Sequence, residues 1–437
     1  MARIHPRRRQ ALCACLLGLP KLDLALPDRA RELTEVMPRG AAAGREVAAQ
    51  VEKGARVLVA VRGGQAEDSA FASAAEAELR NRGASVLAVV QGEPRDARAA
   101  LRRIAEAGGG LDYIAGTDVT AGWLVFSDLG ADFPSMKDAR VLQPRSTRWP
   151  VFLTAENLLN VASQIAVIAI LAIGMTMVIV AGGIDLSVGS LIALSAVVTT
   201  LVIRDAYGGT SAGTVGMLAA GACGVAVCGA CGWLNGVLIT RLRLPAFIVT
   251  LALMLVCSGL SFRLAENQSV YQVPESFIWL GRGADLAGVP NAVLLMLLLY
   301  AVAHVLMTQT ALGRHLYAVG GNAEAAMISG VPVQRVTVLA YTLCGLLAGL
   351  GGVVMASQLK SGSGTFGTKY ELYAIAAAVV GGTSLSGGRG TMLGTLLGAF
   401  VIAVIQNGMN LTNVESNTQN IVLGAVILLA VVAERRR

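Results

Sequence analysis

The side chains able to do chemistry in this sequence are few and scattered. Its three histidines, His5, His304 and His315, lie far apart, and acidic residues beyond position 157 are sparse, so no enzyme constellation is in view. No phosphate cradle of the form GxxxxGKS or GxxxxGKT occurs. The nearest approach, GSGTFGTKY at 362–370, lacks both the Gly-Lys pair and the hydroxyl that follows it. Any ATP hydrolysis must therefore come from a separate protein. CGAC at 228–231 has redox-motif spacing, but it lies in an apolar helical stretch where packing is the better reading; Cys223, Cys257 and Cys344 have similar surroundings. The residue that demands an explanation is Asp185, within GGIDLSVGSLIALS at 182–195. It lies between two long apolar runs, where a carboxylate facing lipid is costly, so it is expected to face a bundle interior, a water path or the membrane edge.

The composition says what kind of elements hold it. The chain is 54% hydrophobic and only 14% charged, against a usual value of about 25%, which describes a helical membrane protein. In that setting the net charge of +7 is topological information and not a sign of nucleic-acid binding.

The organisation is two-part. Residues 28–150 carry a small α/β unit: RVLVAV, SVLAVV and LDYIA read as strands, separated by the helical stretches EDSAFASAAEAELRNRG, stopped by Gly83, and RDARAALRRIAEAGG. Such alternation implies a parallel sheet with crossover helices. Residues 151–437 form a transmembrane domain, with apolar segments at 157–181, 186–204, 214–240, 246–263, 290–308, 335–357, 371–385, 393–410 and 419–433, about nine spans, of which 371–385 and 419–433 are short. The fold class expected is an all-α polytopic membrane protein of about nine to ten transmembrane helices, preceded by the small α/β domain.

Basic residues give the orientation. Arg241, Arg243, Arg314, His315, Arg335, Arg389 and the closing RRR fall on one side if the spans alternate, and the positive-inside rule makes that side cytoplasmic. Residue 156 is then outside, and so is the α/β unit. The segment 1–27 is basic with an apolar core from Ala11 to Leu19, enough for only about half of a bilayer. It reads as a signal-like segment or a degenerate first span.

The long stretches NLLNVASQIAVIAILAIGMTMVIVAGGIDLSVGSLIALS, NGVLITRLRLPAFIVTLALML, ALGRHLYAVGGNAEAAMISGVPV and ELYAIAAAVVGGTSLSGGRGTMLGTLLGAFVIAVIQNGMNL together resemble the permease subunits of bacterial sugar-importing ABC transporters, the ribose/xylose/arabinose group. The resemblance covers about 151–437, in order. It implies an inner-membrane permease working as a homodimer, an ATPase subunit holding ATP and Mg, and a periplasmic sugar-binding protein delivering a monosaccharide. This chain itself is expected to bind no cofactor, metal or nucleic acid and to perform no catalysis, with membrane lipid around it. In the family the first helix runs directly into a segment like VFLTAENLLN, so 28–150 stands as an insertion. Residues 55–118 of that insertion resemble the opening βαβαβ of a ribose-type periplasmic binding protein, too short for two lobes and better suited to docking or regulation. The competing readings are a permease for another small solute, such as a branched-chain amino acid or nucleoside, an ion-coupled secondary transporter, and a membrane-anchored sensor.

Three groups of residues are candidates for function. The longest basic inner loop, 309–334, contains NAEAAMISG, which can form a short helix capped by Asn322 and ended at Gly330. The resemblance makes this the ATPase-coupling loop, with Gly313, Arg314, Gly321, Asn322, Ala325, Ala326, Ser329 and Gly330. A second group, a helix break or gate, comprises Gly183, Asp185, Ser187 and Gly189 together with Gly382, Thr383, Ser384, Gly387 and Gly388 of the glycine-dense VGGTSLSGGRG. Asp185 reads either as the cap of the following helix or as a charged gate. The third group, polar residues of a permeation path, is Asn235, Thr250, Gln406 and Asn407; polar packing between helices is the alternative. GLLAG at 345–349 and GTLLG at 394–398 are expected to let helices approach closely.

Overall fold

A computed structural model describes residues 34–37, 39–127, 129–145, 147–286 and 288–434. The segment 1–27 and the closing RRR lie outside them. The chain divides into two compact units that meet between Thr154 and Ala155.

The first unit holds a parallel sheet. Its strands are β2 (Arg56–Arg62), β3 (Ser85–Gly92), β4 (Tyr113–Gly116) and β5 (Arg140–Leu142), in the order β3-β2-β4-β5. A separate antiparallel pair joins β1 (Thr34–Met37) to β6 (Thr147–Pro150). Helices α1 (Gly40–Ala49), α2 (Ala66–Asn81) and α3 (Pro94–Glu106) accompany the sheet. Val57, Val59 and Val61 pack with Phe71, Ala75 and Leu79 of α2, while Leu58 and Ala60 pack with Ala97 and Leu101 of α3. The alternation along β2 thus supplies two cores, one on each face of the sheet. Gly83 stops α2 as its sequence implies: it has φ +77° and the Ala84 amide reaches back to the Leu79 carbonyl at 2.9 Å, a Schellman end.

The main elements of the second unit are helices: α4 (Ala155–Val180), α5 (Val188–Ala206), α6 (Thr214–Arg241), α7 (Ala246–Leu264), α8 (Asn291–Gln309), α9 (Ala311–Gly321), α10 (Ala323–Ile328), α11 (Val333–Leu359), α12 (Tyr370–Val380), α13 (Met392–Leu411) and α14 (Ser416–Glu434). Among the described residues seven of these, α4 to α8, α11 and α13, are long and apolar enough to cross a membrane. Helix α4 is the centre, 89% buried over its apolar window, which is why its sequence is hydrophobic on every face.

Small residues set the helix spacing. A Cβ on Gly345 of α11 would overlap the Cys228 carbonyl of α6, and one on Gly349 would lie 2.8 Å from Val225 Cα. Similarly Gly394 and Gly398 of α13 abut the backbone of Gly381 and Ala377. Both small-residue motifs are therefore places where backbones touch. The cysteines among the described residues are free thiols: Cys228 Sγ lies 3.2 Å from the Leu191 carbonyl and no disulfide joins Cys231 to Cys257, whose sulfurs are 3.9 Å apart.

The bounds expected for the helix at 371–385 are corrected. The helix is only the 11 residues of α12, about 16 Å long, and 381–391 is turn and loop. Residues 361–369, ahead of it, run irregularly alongside α5: a Cβ on Gly362 would lie 2.6 Å from the Ala196 carbonyl, and one on Gly367 2.8 Å from Ile192 Cβ. This is the GSGTFGTKY stretch. Its glycines serve close packing of non-helical backbone against a helix, which is tolerated inside an apolar bundle only where protein buries it.

Candidate functional site

The site is assembled from three breaks in the helical bundle. The first lies at 181–187, between α4 and α5. Asp185 is fully buried there, and its Oδ1 accepts from the Ser187 amide at 2.9 Å and from the Ser187 hydroxyl at 2.6 Å. The helix cap itself is Ser187, which makes no side-chain capping bond. Asp185 therefore closes a turn one step ahead of the helix and does not bond the first-turn amides, a correction to the simple cap read from its sequence position. Asn235 of α6 donates to Ser187 Oγ at 3.1 Å, and Tyr341 of α11 donates to the Ile184 carbonyl at 3.3 Å. Among the described residues Asp185 Oδ2 and Asn235 Oδ1 find no hydrogen-bond partner, and both are buried. Gly183 is required by Tyr341, whose hydroxyl occupies the place a Cβ would take. Gly189 answers to a different neighbour: a Cβ there would collide with the Glu371 carboxylate and lie 2.7 Å from the Gly367 carbonyl.

The second break is the loop 381–391. Gly382, at φ +89°, ends α12, and Thr383 is buried with its amide on the Ala378 carbonyl at 2.9 Å. The Ser384 amide donates to Arg389 O at 3.0 Å and the Gly387 amide to Ser384 O at 3.1 Å, so the loop is a closed turn. It is fastened to the first break, since the Gly388 amide donates to the Val180 carbonyl at 2.9 Å and a Cβ on Gly387 would lie 3.1 Å from Gly182 Cα.

The third break is the helical pair α9–α10. Asn322 Oδ1 accepts from the Ala325 amide at 2.9 Å, and Gly330, at φ +87°, ends the turn, with the Val331 amide on the Ala326 carbonyl at 3.0 Å. Ala325, Ser329 and Gly330 are exposed, whereas Ala326 is buried and anchors α10 to the core. Arg314 is exposed and Gly313 is buried under Met307 and Leu306. The apolar tip of α10 points away from the bundle: Met327 is 63% and Ile328 86% exposed.

These breaks share one end of the bundle. Gly320 and Gly321 abut Gly388, and Gly236 of α6 abuts Val338 of α11, which brings Arg241, Arg314, Arg335 and Arg389 together at that end. At the opposite end Arg204 and Lys360 are paired with Asp205 and Glu275. The end carrying α10 thus holds a cluster of arginines, Arg241, Arg314, Arg335 and Arg389.

The four polar residues expected along a path separate. Thr250 bonds its own helix, to the Ala246 carbonyl at 2.9 Å, and reaches the Ile184 carbonyl of the first break at 3.5 Å, the break to which Asn235 also belongs. Asn407 donates to Asn157 Oδ1 of α4 at 2.9 Å, an interhelical bond. Of the four, Gln406 lines a cavity of about 240 Å³, together with Gln164, Gln358, Tyr370, Tyr373 and apolar residues of α4, α11 and α13. The two tyrosines begin α12, the two other glutamines lie in α4 and α11, and among the described residues no charged side chain lines the space. Reading the sequence span by span missed these four, because an i, i+3 pair of tyrosines and isolated glutamines gain meaning only when four helices converge.

Comparison with known proteins gives the family. No solved structure matches the chain at a significant level. The ribose import permease protein RbsC of Escherichia coli (strain K12) is 42% identical over 296 residues, 67% of this chain and 89% of that protein. The RbsC protein of Bacillus subtilis is 45% identical over 291 residues, covering 66% and 87%. The L-arabinose ABC transporter permease protein AraH of Azospirillum brasilense is 37% identical over 288 residues, covering 66% and 82%. The family model described as the branched-chain amino acid transport system / permease component matches residues 157–431, the stretch that contains all three breaks and the cavity. The chain is thus a multi-pass membrane protein that belongs to this family of ABC transport permeases, a transport component and not an enzyme.

Proposed function

We propose that this chain is the inner-membrane permease subunit of an ATP-driven importer of a monosaccharide such as ribose or xylose. ATP and Mg are bound by a separate ATPase, and a periplasmic binding protein delivers the sugar. The observation that carries the choice of solute is the cavity: three amides and two phenols offer donors and acceptors to hydroxyl groups, and no charged group is present to meet an ammonium or a carboxylate. That chemistry suits a neutral polyol and disfavours the amino acids named in the family's description. The identity with ribose permeases over 87–89% of their length supports the same choice.

In this reading α12 with its lead-in 361–369 completes one crossing and α14 another, giving nine from α4 to α14. The end bearing the arginines is cytoplasmic. The exposed tip of α10, with Met327 and Ile328, is the surface that enters the ATPase, and the breaks at 181–187 and 381–391 form the inner gate. The permease works as a homodimer with lipid around its apolar exterior.

The experiment is uptake into proteoliposomes holding the permease, its ATPase and its binding protein. ATP-dependent accumulation of labelled ribose or xylose, unaffected by excess leucine or uridine, is expected. Accumulation of leucine or uridine with no monosaccharide uptake would overturn the assignment.

A further inference from the structure

The coupling segment and the cavity are joined through backbone. Gly320, the penultimate residue of α9, has no room for a side chain: a Cβ would overlap the Val180 carbonyl oxygen and lie 2.6 Å from the Gly388 nitrogen. On the other side, a Cβ on Gly387 would lie 2.7 Å from the Gly320 carbonyl, and one on Gly388 3.0 Å from Gly321 Cα. Two hydrogen bonds cross the same contact, Gly388 amide to Val180 carbonyl at 2.9 Å and Tyr317 hydroxyl to Gly390 carbonyl at 2.7 Å. Three chain segments, the end of α4, the end of α9 and the loop 381–391, thus meet with no side chain between them.

What each segment leads to gives the contact its meaning. The end of α9 passes through Gly321 and Asn322 directly into α10. The loop 381–391 is the continuation of α12, whose other end carries Tyr370 and Tyr373 into the cavity. Side chains between packed helices can adapt by changing rotamer, whereas backbones in direct contact cannot, so displacement on one side must appear on the other.

We propose that Gly320, Gly388 and Tyr317 are positioning residues that transmit the movement of α10 to α12, so that the ATPase state resets Tyr370 and Tyr373 in the sugar cavity. Gly320 and Gly388 supply the incompressible contact. Tyr317 supplies the tether that lets α9 pull on the loop as well as push it. The loop ends in Thr391, the cap of α13, and Gly381 lies against Gly394, so α12 and the start of α13 follow together. This inference rests on the reading of α10 as the docking segment.

The test uses the complete transporter in proteoliposomes, with an environment-sensitive fluorophore on Leu372→Cys, a 49% exposed position in the first turn of α12. In the parent protein, ATP with vanadate is expected to change the fluorescence. Gly320→Ala, which must prise α9 from Val180 and Gly388, is expected to keep the ATPase bound while abolishing that change and lowering sugar transported per ATP about tenfold. Tyr317→Phe, which keeps the ring and threatens folding least, is expected to lower the same ratio about threefold. ATPase-bound Tyr317→Phe and Gly320→Ala transporters with the parent's signal and transport ratio would overturn the proposal. If Gly320→Ala fails to fold, Tyr317→Phe decides alone. Ala325→Glu separates the underlying reading: it should release the ATPase, and retention with full coupling would refute the docking role of α10 and with it the path.

Discussion

The hydroxyl of Tyr341, on α11, lies where Gly183 would carry a side chain, and it donates to the carbonyl of the next residue, Ile184, at 3.3 Å. One tyrosine therefore holds open the break between α4 and α5 and forbids any larger residue there. Gly183→Ala is expected to destabilise the detergent-solubilised protein by about 1–3 kcal/mol, the usual cost of overpacking. Adding Tyr341→Phe should return part of that loss, because the atom in the way is the phenol oxygen. A thermal-unfolding double-mutant cycle measures it; strictly additive effects would show that the two positions do not meet.

At Asp185 the carboxylate oxygen that matters to the fold is Oδ1, which holds the Ser187 amide and hydroxyl. Asp185→Asn keeps an acceptor there and is expected to retain folding and most of the uptake. Asp185→Ala strands Ser187 in a buried place and is expected to cost about 1–3 kcal/mol. A stable Asp185→Asn protein without uptake would show instead that the charge itself works the gate.

If the end bearing the arginines is cytoplasmic, as proposed, the α/β unit is expected outside the cytoplasm, since among the described residues none of its helices is long and apolar enough to cross. Single cysteines at Arg80 and Arg102, both exposed helix positions, are expected to react with a membrane-impermeant thiol reagent in intact spheroplasts when the native cysteines are replaced. Labelling only after lysis would put the unit inside and shift the count of crossings by one.

Within that unit, Arg56 holds Asp112 by two side-chain bonds and a backbone amide, and these keep the Asp112 carboxyl below its ordinary range. A carboxyl depressed in the folded state stabilises above its unfolded value and loses that contribution as pH falls toward the folded one. Both side chains are substantially exposed, 46% and 38%, so screening makes the effect small. Asp112→Asn is expected to lower the unfolding temperature of the unit at neutral pH, with the difference shrinking below about pH 4. A difference that grows on acidification would contradict the pairing.

Much of this protein was legible in its sequence because the responsible forces are local or compositional. Apolar length fixed the helices α4 to α8, α11 and α13, since each must satisfy its backbone within itself in a medium without water. The alternation of RVLVAV and the stop at Gly83 gave the sheet and its helices, and the Asn322 and Gly330 ends of α10 follow from capping chemistry alone. The tertiary structure decided what depends on convergence. Asp185 reads as a cap until Ser187, Asn235 and Tyr341 are seen around it. The run 371–385 reads as one continuous helix until the loop at 381–391 is found pressed against Val180 and Gly320. Gln406 is drawn apart from Asn407 by a single step of helix rotation, one facing the cavity and the other Asn157. A glycine in the sequence states only that a side chain is missing; which backbone fills the space, and so which segments move together, is set by contacts between residues far apart in the chain.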